Sequence, residues 1–317
     1  MKNFMPITGK FTVEDEKIVF CGGSVAPADG ISNTSEAQGK CGIILFEDKL
    51  SAGEVEVSIE FDSLNELDEA EIIFNYYDQG NFMCAGIANN RAKYEFKMFR
   101  GQWDYIGVGG IDAELYQKKY EIKIRLFGSS AELIINNIPV LSVSLKFPIQ
   151  KTNLGLWVRS KSSITISRYK ATYQKSTAFI VSQFGDQYDT LYSDVIKPCC
   201  EQTGYVPVRA DEIVTSSMIL DEIISSIKTA EIIIAEITPD NPNVFYEIGY
   251  AHALNKPTIL LCERSCREKL PFDISGFKTI FYDNSIGGKR QIEERLQVHL
   301  REMNSRYTRM EGNCLPT

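Results

Sequence analysis

Asn241–Pro257 reads NPNVFYEIGYAHALNKP and lies between two apolar runs, Glu231–Ile237 (EIIIAEI) and Thr258–Cys262 (TILLC). Runs of that length, rich in Ile and Leu and bounded by Pro and Asn, predict strands buried on both faces of a parallel sheet. The segment between them predicts a helix, entered through the turn Pro239-Asp240-Asn241 and Pro242, with Asn243 as its N-cap. Glu247 then stands about one turn into the helix, above the carboxyl edge of the sheet, where open α/β folds bind ligands. Val244, Ile248 and Ala251 recur at helical spacing and form the face toward the sheet, with Glu247 at its border beside Leu254. A half-buried carboxyl there has a raised pKa and can hold or pass a proton near neutrality. An ordinary first-turn Glu, favoured by the helix dipole, is the other reading of the same spacing.

The alternation extends to both sides. Ala178–Gln183, Tyr205–Arg209 and Lys278–Tyr282 predict further strands, and Tyr188–Gln202, Met218–Thr229 and Lys289–Asn304 predict helices. Over 178–306 this is a flavodoxin-like, doubly wound, five-stranded parallel sheet, for which right-handed crossovers give the order 2-1-3-4-5. Residues 307–317 carry no periodicity and predict a frayed tail. Upstream, 172–177 (TYQKST) is a short polar linker, and before it the period changes to two. Glu54–Phe61, Ala70–Tyr76, Tyr94–Phe99, Tyr120–Phe127, Ala131–Ile135, Val140–Leu145 and Ile164–Tyr169 predict strands, with Asn136-Asn137 as a hairpin turn. Many short strands with little helix predict an all-β jelly-roll sandwich over 1–171.

The chain of 317 residues is 44% hydrophobic and 24% charged, the composition of a soluble globular protein in two domains. Its net charge of −8, without a Lys/Arg cluster, argues against nucleic acid as a partner. No stretch approaches the ~18 apolar residues of a membrane span, and the start, MKNFMPITGKF, has no apolar core of a signal peptide. Eight Cys without a CxxC, beside two His, argue against a zinc site, and free thiols fit a reducing cytoplasm.

The loops at the carboxyl edge carry the remaining candidates. After the first strand come Gln183, Phe184, Gly185 and Asp186, leading into the helix at Tyr188. Gly185 permits a tight turn, and a helix N-terminus favours phosphate or a sugar hydroxyl. After the second strand, Asp211 and Glu212 fit either a ribose diol or a solvated helix start. The third strand ends at Glu236 and leads to Asn243.

These segments, FIVSQFGDQYDTLYSDVIKPCCEQTGYVPVRADEI and ILDEIISSIKTAEIIIAEITPDNPNVFYEIGYAHALNKPTILLCE, resemble the nucleoside 2-deoxyribosyltransferase-like and TIR-like group of nucleotide-binding domains. The resemblance implies an N-glycosidic bond as the target and Glu247, in the E-I-G-Y-A context, as the nucleophile. It implies substrate contacts from Gln183, Phe184, Gly185, Asp186, Tyr188, Asp211, Glu236 and Asn243, with Glu at 236 where the group usually carries Asp. It also implies a role as effector of a bacterial antiphage protein. The first 171 residues, from GEVEVSIEF to NLGLWVRSKSSITISRYK, resemble the concanavalin-like (laminin-G-like) jelly rolls, which often bind carbohydrate. Trp103, Tyr76 and Tyr77 then either line a sugar platform or pack in the core, and a protein-contact or oligomerisation role is the other expectation for this domain.

Three functions remain open at this point. The first is a hydrolase of NAD or a related nucleotide, with NAD as substrate, no cofactor, and gating by a homo-oligomer that completes the site. With NAD the leaving nicotinamide is neutral, so a general acid is dispensable, and the carboxylate stabilises or traps the oxocarbenium-like transition state. The second is a nucleotide-binding sensor without turnover. The third is a nucleoside base-exchange enzyme, marked by its need for a second base.

Overall fold

The computed structural model describes residues 3–15, 17–25, 38–147, 149–212, 219–238, 240–267 and 269–306. Met218, Pro239 and the tail 307–317 named above lie outside the described residues. Backbone proximity divides the chain into two compact units, one built from residues up to Gln174 and one from Lys175 onward; two short stretches beginning at Phe127 and Leu145 group with the second.

In the first unit, alternation builds two antiparallel sheets. One runs Phe4–Thr8, Gln38–Leu50, Thr152–Ser160, Glu69–Asp78, Asn81–Ala88, Ala92–Arg100, Trp103–Ile111, with the short strand Ser24–Val25 paired to Gln38–Leu50. The other runs Ile138–Ser144, Ser130–Ile135, Lys119–Phe127, Gly53–Phe61, Ile164–Tyr173, Lys17–Phe20, Phe11–Glu14. Gly53–Phe61 shows why the pattern folds this way. Val55, Val57, Ile59 and Phe61 are buried, while Glu54 and Glu56 on the opposite face pair with Arg125 (2.8 Å) and Lys123 (3.2 Å) directly across the ladder. Asn136 and Asn137 both have positive φ (50° and 65°) and form the two-residue hairpin turn. Several strands went unpredicted, among them Gln38–Leu50 and Trp103–Ile111.

The aromatic candidates divide. Trp103 packs against Phe99, Trp157 and Phe82 at ring-centroid distances of 4.9, 5.3 and 5.7 Å, and Tyr76 joins the same cluster through Phe82. Tyr77 is 45% exposed. Beside this cluster the Lys97 ammonium, buried, lies 3.0, 3.0 and 3.2 Å from the carboxylates of Glu69, Glu71 and Glu95. Burial outweighs Lys97 and pushes the Glu71 carboxyl up to about 8.

The second unit holds a five-stranded sheet whose strands we number within it: β1 Thr177–Val181, β2 Val206–Arg209, β3 Ile232–Glu236, β4 Thr258–Glu263 and β5 Lys278–Tyr282. Every pair is parallel and the order is β2-β1-β3-β4-β5, as the alternation predicted. Successive residues of β3 serve opposite layers. Ile232 and Ile234 pack with Val195, Ile196, Leu296 and Leu300, from the first and last helical segments. Ile233 and Ala235 pack with Ile227, Val244, Ile248 and Ala251 from the two middle helices. Helices therefore cover both faces.

The first helical segment, Asp186–Leu191, passes through a π turn (Tyr192–Ile196) into Lys197–Gln202. Pro198 has no N–H to give the preceding turn, and the wider turn accommodates that loss. Among the described residues no helix is long and apolar enough to cross a membrane.

Candidate active site

The helix carrying Glu247 spans Pro242–Ala253. Its N-cap is Asn241 and not Asn243: Asn241 is extended (φ −121°, ψ 116°), and its side-chain oxygen accepts from the Asn243 backbone N–H at 2.9 Å. Pro242 occupies the first helical position, where its missing N–H costs nothing. The helix stops where Asn255 turns left-handed (φ 54°), letting Lys256 N–H donate to the Ala251 carbonyl at 2.9 Å. Val244, Ile248 and Ala251 are buried against the sheet.

Glu247 is half-buried at the border of that face, and burial alone pushes its pKa up to about 7. It lines a cleft of about 660 Å³ at the carboxyl end of β1 and β2. Of the predicted site residues, the cleft brings together Gln183, Phe184, Asp211, Asn243 and Glu247. The Asn241 side-chain Nδ2 donates to the Gln183 side-chain Oε1 at 3.4 Å and joins the loop after β1 to the helix start. Phe184 (56% exposed) and Tyr246 (53% exposed) line the cleft as open aromatic faces, a surface on which a planar base can stack.

Gly185, Asp186, Tyr188 and Glu236 do not line the cleft. Gly185 (φ 142°) is the residue before the first helix, and Asp186 is exposed in its first turn. Burial, and after it the charges of Glu236 and Glu263, raise the Tyr188 phenol. Glu236 is 1% exposed and held by three donors: the Thr238 N–H (2.7 Å), the Thr238 hydroxyl, and the Tyr282 hydroxyl (3.0 Å). Burial still outweighs those donors and moves its pKa up to about 7. Tyr282 belongs to the layer under the first and last helices, so Glu236 and Glu247 serve opposite faces of the sheet.

Other cleft residues, Ser182 and Arg209 among them, lie at the strand ends that the sequence placed on the carboxyl edge but received no role from it. Ser182 lines the cleft with its hydroxyl buried and without a hydrogen-bond partner among the described residues. Arg209, at the end of β2, is 7% exposed. Its Nε donates to Asp211 Oδ1 at 2.7 Å, its Nη2 donates to Asp211 Oδ2, and its Nη1 donates to Asp189 Oδ1 at 2.8 Å. The guanidinium lies 4.5 Å over the Tyr192 ring and 5.7 Å from that of Phe184. Tyr192 is anchored in turn by its hydroxyl, which donates to Glu212 at 2.7 Å. The fork holds the Asp211 carboxyl below the usual range. The only sequence signal for this cluster was an Arg two residues before an Asp at a strand end.

Comparison with known proteins adds a family match to part of the chain. Residues 181–284 match the family model described as nucleoside 2-deoxyribosyltransferase. No curated protein matches the chain. Among solved structures, the carbohydrate-binding module CBM66 from Bacillus subtilis is similar at 16% identity and TM-score 0.41, over 53% of this chain and 94% of its own. The β-glucanase of Bacillus licheniformis is similar at 9% identity and TM-score 0.39, over 54% and 92%. The CMP N-glycosidase of Clostridium botulinum is similar at 19% identity and TM-score 0.31, over 39% and 99%. The matched span runs from the end of β1 to just past β5 and contains Glu247 and, Ile180 excepted, the residues that line the cleft around it. The second unit therefore carries a nucleoside 2-deoxyribosyltransferase-like domain.

Proposed function

We propose that the second unit cleaves the N-glycosidic bond of a nucleotide, with NAD as the substrate to test first and Glu247 as the catalytic carboxylate. The observation that carries the proposal is the placement of Glu247: a half-buried carboxyl, raised to about 7 by burial alone, on the wall of a cleft within the matched span. As the bond from C1′ to the base nitrogen breaks, the electron pair leaves with the base and positive charge grows on the sugar. The ionised Glu247 stabilises that charge or bonds to C1′, and water then completes hydrolysis. Nicotinamide leaves NAD as a neutral group, so no proton need be supplied. Phe184 and Tyr246 offer stacking faces for the base, and Asp211 offers an acceptor for sugar hydroxyls.

The proposal extends to a gate, because unrestrained NAD loss is toxic. Assembly of several copies would complete the site, and the sandwich would supply the protein or carbohydrate contact that triggers it, as an antiphage effector requires. The family match favours a second reading, base exchange between nucleosides.

Chromatography of the full-length protein with NAD, at low and high protein concentration, tests the first reading, and 2′-deoxyinosine with adenine as acceptor tests the second. Nicotinamide release should rise with pH through about 7 as Glu247 ionises, and Glu247→Gln should lower the rate at least ~100-fold. A Glu247→Gln protein that releases nicotinamide at the parent rate would remove the basis of the proposal.

A further inference from the structure

Arg209 is the one cationic side chain among the described residues that line the cleft, yet its charge is already committed. Three of its nitrogens each face a carboxylate oxygen, two on Asp211 and one on Asp189, and its flat face rests on Tyr192. A guanidinium held this way serves its neighbours more than an incoming ligand. Asp211 gains most. It is well exposed (38% of its side chain) and lines the cleft, where a free carboxylate would rotate and share its lone pairs with water. Gripped by the fork, it loses rotation but keeps acceptor capacity on both oxygens for a second donor from the cleft side.

We infer that Arg209 is a positioning residue for the proposed reaction: it fixes the Asp211 carboxylate as the acceptor of the substrate's sugar hydroxyls. Asp189 and Tyr192 hold Arg209 in turn. This role rests on the functional reading above. The charged and titratable groups around Asp211 come from every neighbouring element. Arg209 ends β2, Glu212 follows in the same short turn, Asp189 and Tyr192 come from the first helical segment with Lys197 3.5 Å from Glu212, and Glu222 and Glu247 also line the cleft. Among them Arg209 is the first cause of the low Asp211 carboxyl, and the Glu212 backbone N–H adds to it.

The test uses the full-length protein and the substrate cleaved above, NAD or 2′-deoxyinosine with adenine. Arg209→Lys keeps the charge and removes the fork. It should raise KM about tenfold while kcat changes less than about threefold, because an Asp211 freed from the fork holds the sugar hydroxyls more weakly in the ground and transition states alike. In the Asp211→Asn background, Arg209→Lys should change KM no further. The carbon-13 carboxyl signal of Asp211, assigned through Asp211→Asn, should titrate at higher pH in Arg209→Lys than in the parent. Asp189→Asn, which loosens one anchor only, should raise KM by less, and it serves if Arg209→Lys folds poorly. An unmoved Asp211 titration, or a KM effect that persists undiminished in Asp211→Asn, overturns the role while leaving the functional reading intact. A parent that cleaves neither substrate overturns the functional reading, and this role with it.

Discussion

Replacing Glu247 by Gln should cost activity and add stability, in a pH-dependent way that the burial of the side chain dictates. The folded-state pKa of about 7 stands above the ordinary 4.5, so the folded protein favours the protonated form. Ionising Glu247 therefore costs nothing below about pH 4.5, costs progressively more up to about pH 7, and reaches a plateau beyond. The full shift corresponds to an upper limit of about 3.4 kcal/mol at ~1.36 kcal/mol per unit. Glu247 is only half-buried, and water screening reduces this to roughly 1–2 kcal/mol. Gln keeps the shape and hydrogen-bonding character of the protonated acid but never ionises. It should raise the melting temperature of the second unit by roughly 3–8 °C at pH 8. At pH 5 the two pKa values leave about a quarter of the plateau difference.

The assay is calorimetry or fluorescence-monitored melting of the full-length parent and variant at both pH values, beside their nicotinamide release. Glu236, also raised to about 7, is present in both proteins and cancels in the difference. A stability gain of equal size at pH 5 and pH 8, or a loss at pH 8, would refute the claim that burial raises this carboxyl. A gain at pH 8 together with lost activity is the expected signature of a functional carboxyl kept where it is costly to ionise.

Two further outcomes test the frame that positions the site. Lys97→Met in the sandwich leaves Glu69, Glu71 and Glu95 without their shared cation and should destabilise the first unit by ~3–5 kcal/mol in urea titrations at pH 7; Glu71→Gln should cost under ~1 kcal/mol, because Glu71, raised to about 8, is already mostly protonated there. Asn241→Ala should lower the stability of the second unit by ~1 kcal/mol while Asn243→Ala costs a few tenths, since Asn241 supplies the capping oxygen and Asn243 contributes only its backbone N–H to that bond; equal losses would contradict the assigned cap.

The strand order of the second unit and the place of Glu247 were legible because each depends on one local regularity. Apolar runs alternating with helical periods leave few right-handed topologies, and Val244, Ile248 and Ala251 fix which side of the helix faces the sheet. The N-cap was displaced by two residues although its signal was present: Pro242 belongs at the first helical position, which makes the residue before it the cap.

Glu236 shows a regularity left unapplied. Side chains alternate across a strand, so a residue sharing parity with Ile232 and Ile234 must lie on the face away from the helix that Ile233 and Ala235 support. Parity alone therefore separates Glu236 from Glu247, whatever the family pattern implies for the position. Arg209 was not legible in this way. Its partners Asp189 and Tyr192 sit on a helix 20 and 17 positions earlier, and only the packing of that helix beside β2 brings the three together. Local patterns thus reached the backbone frame and the carboxyl projecting from it. The grip on Asp211 is a tertiary property, visible only once the first helical segment and the end of β2 lie side by side.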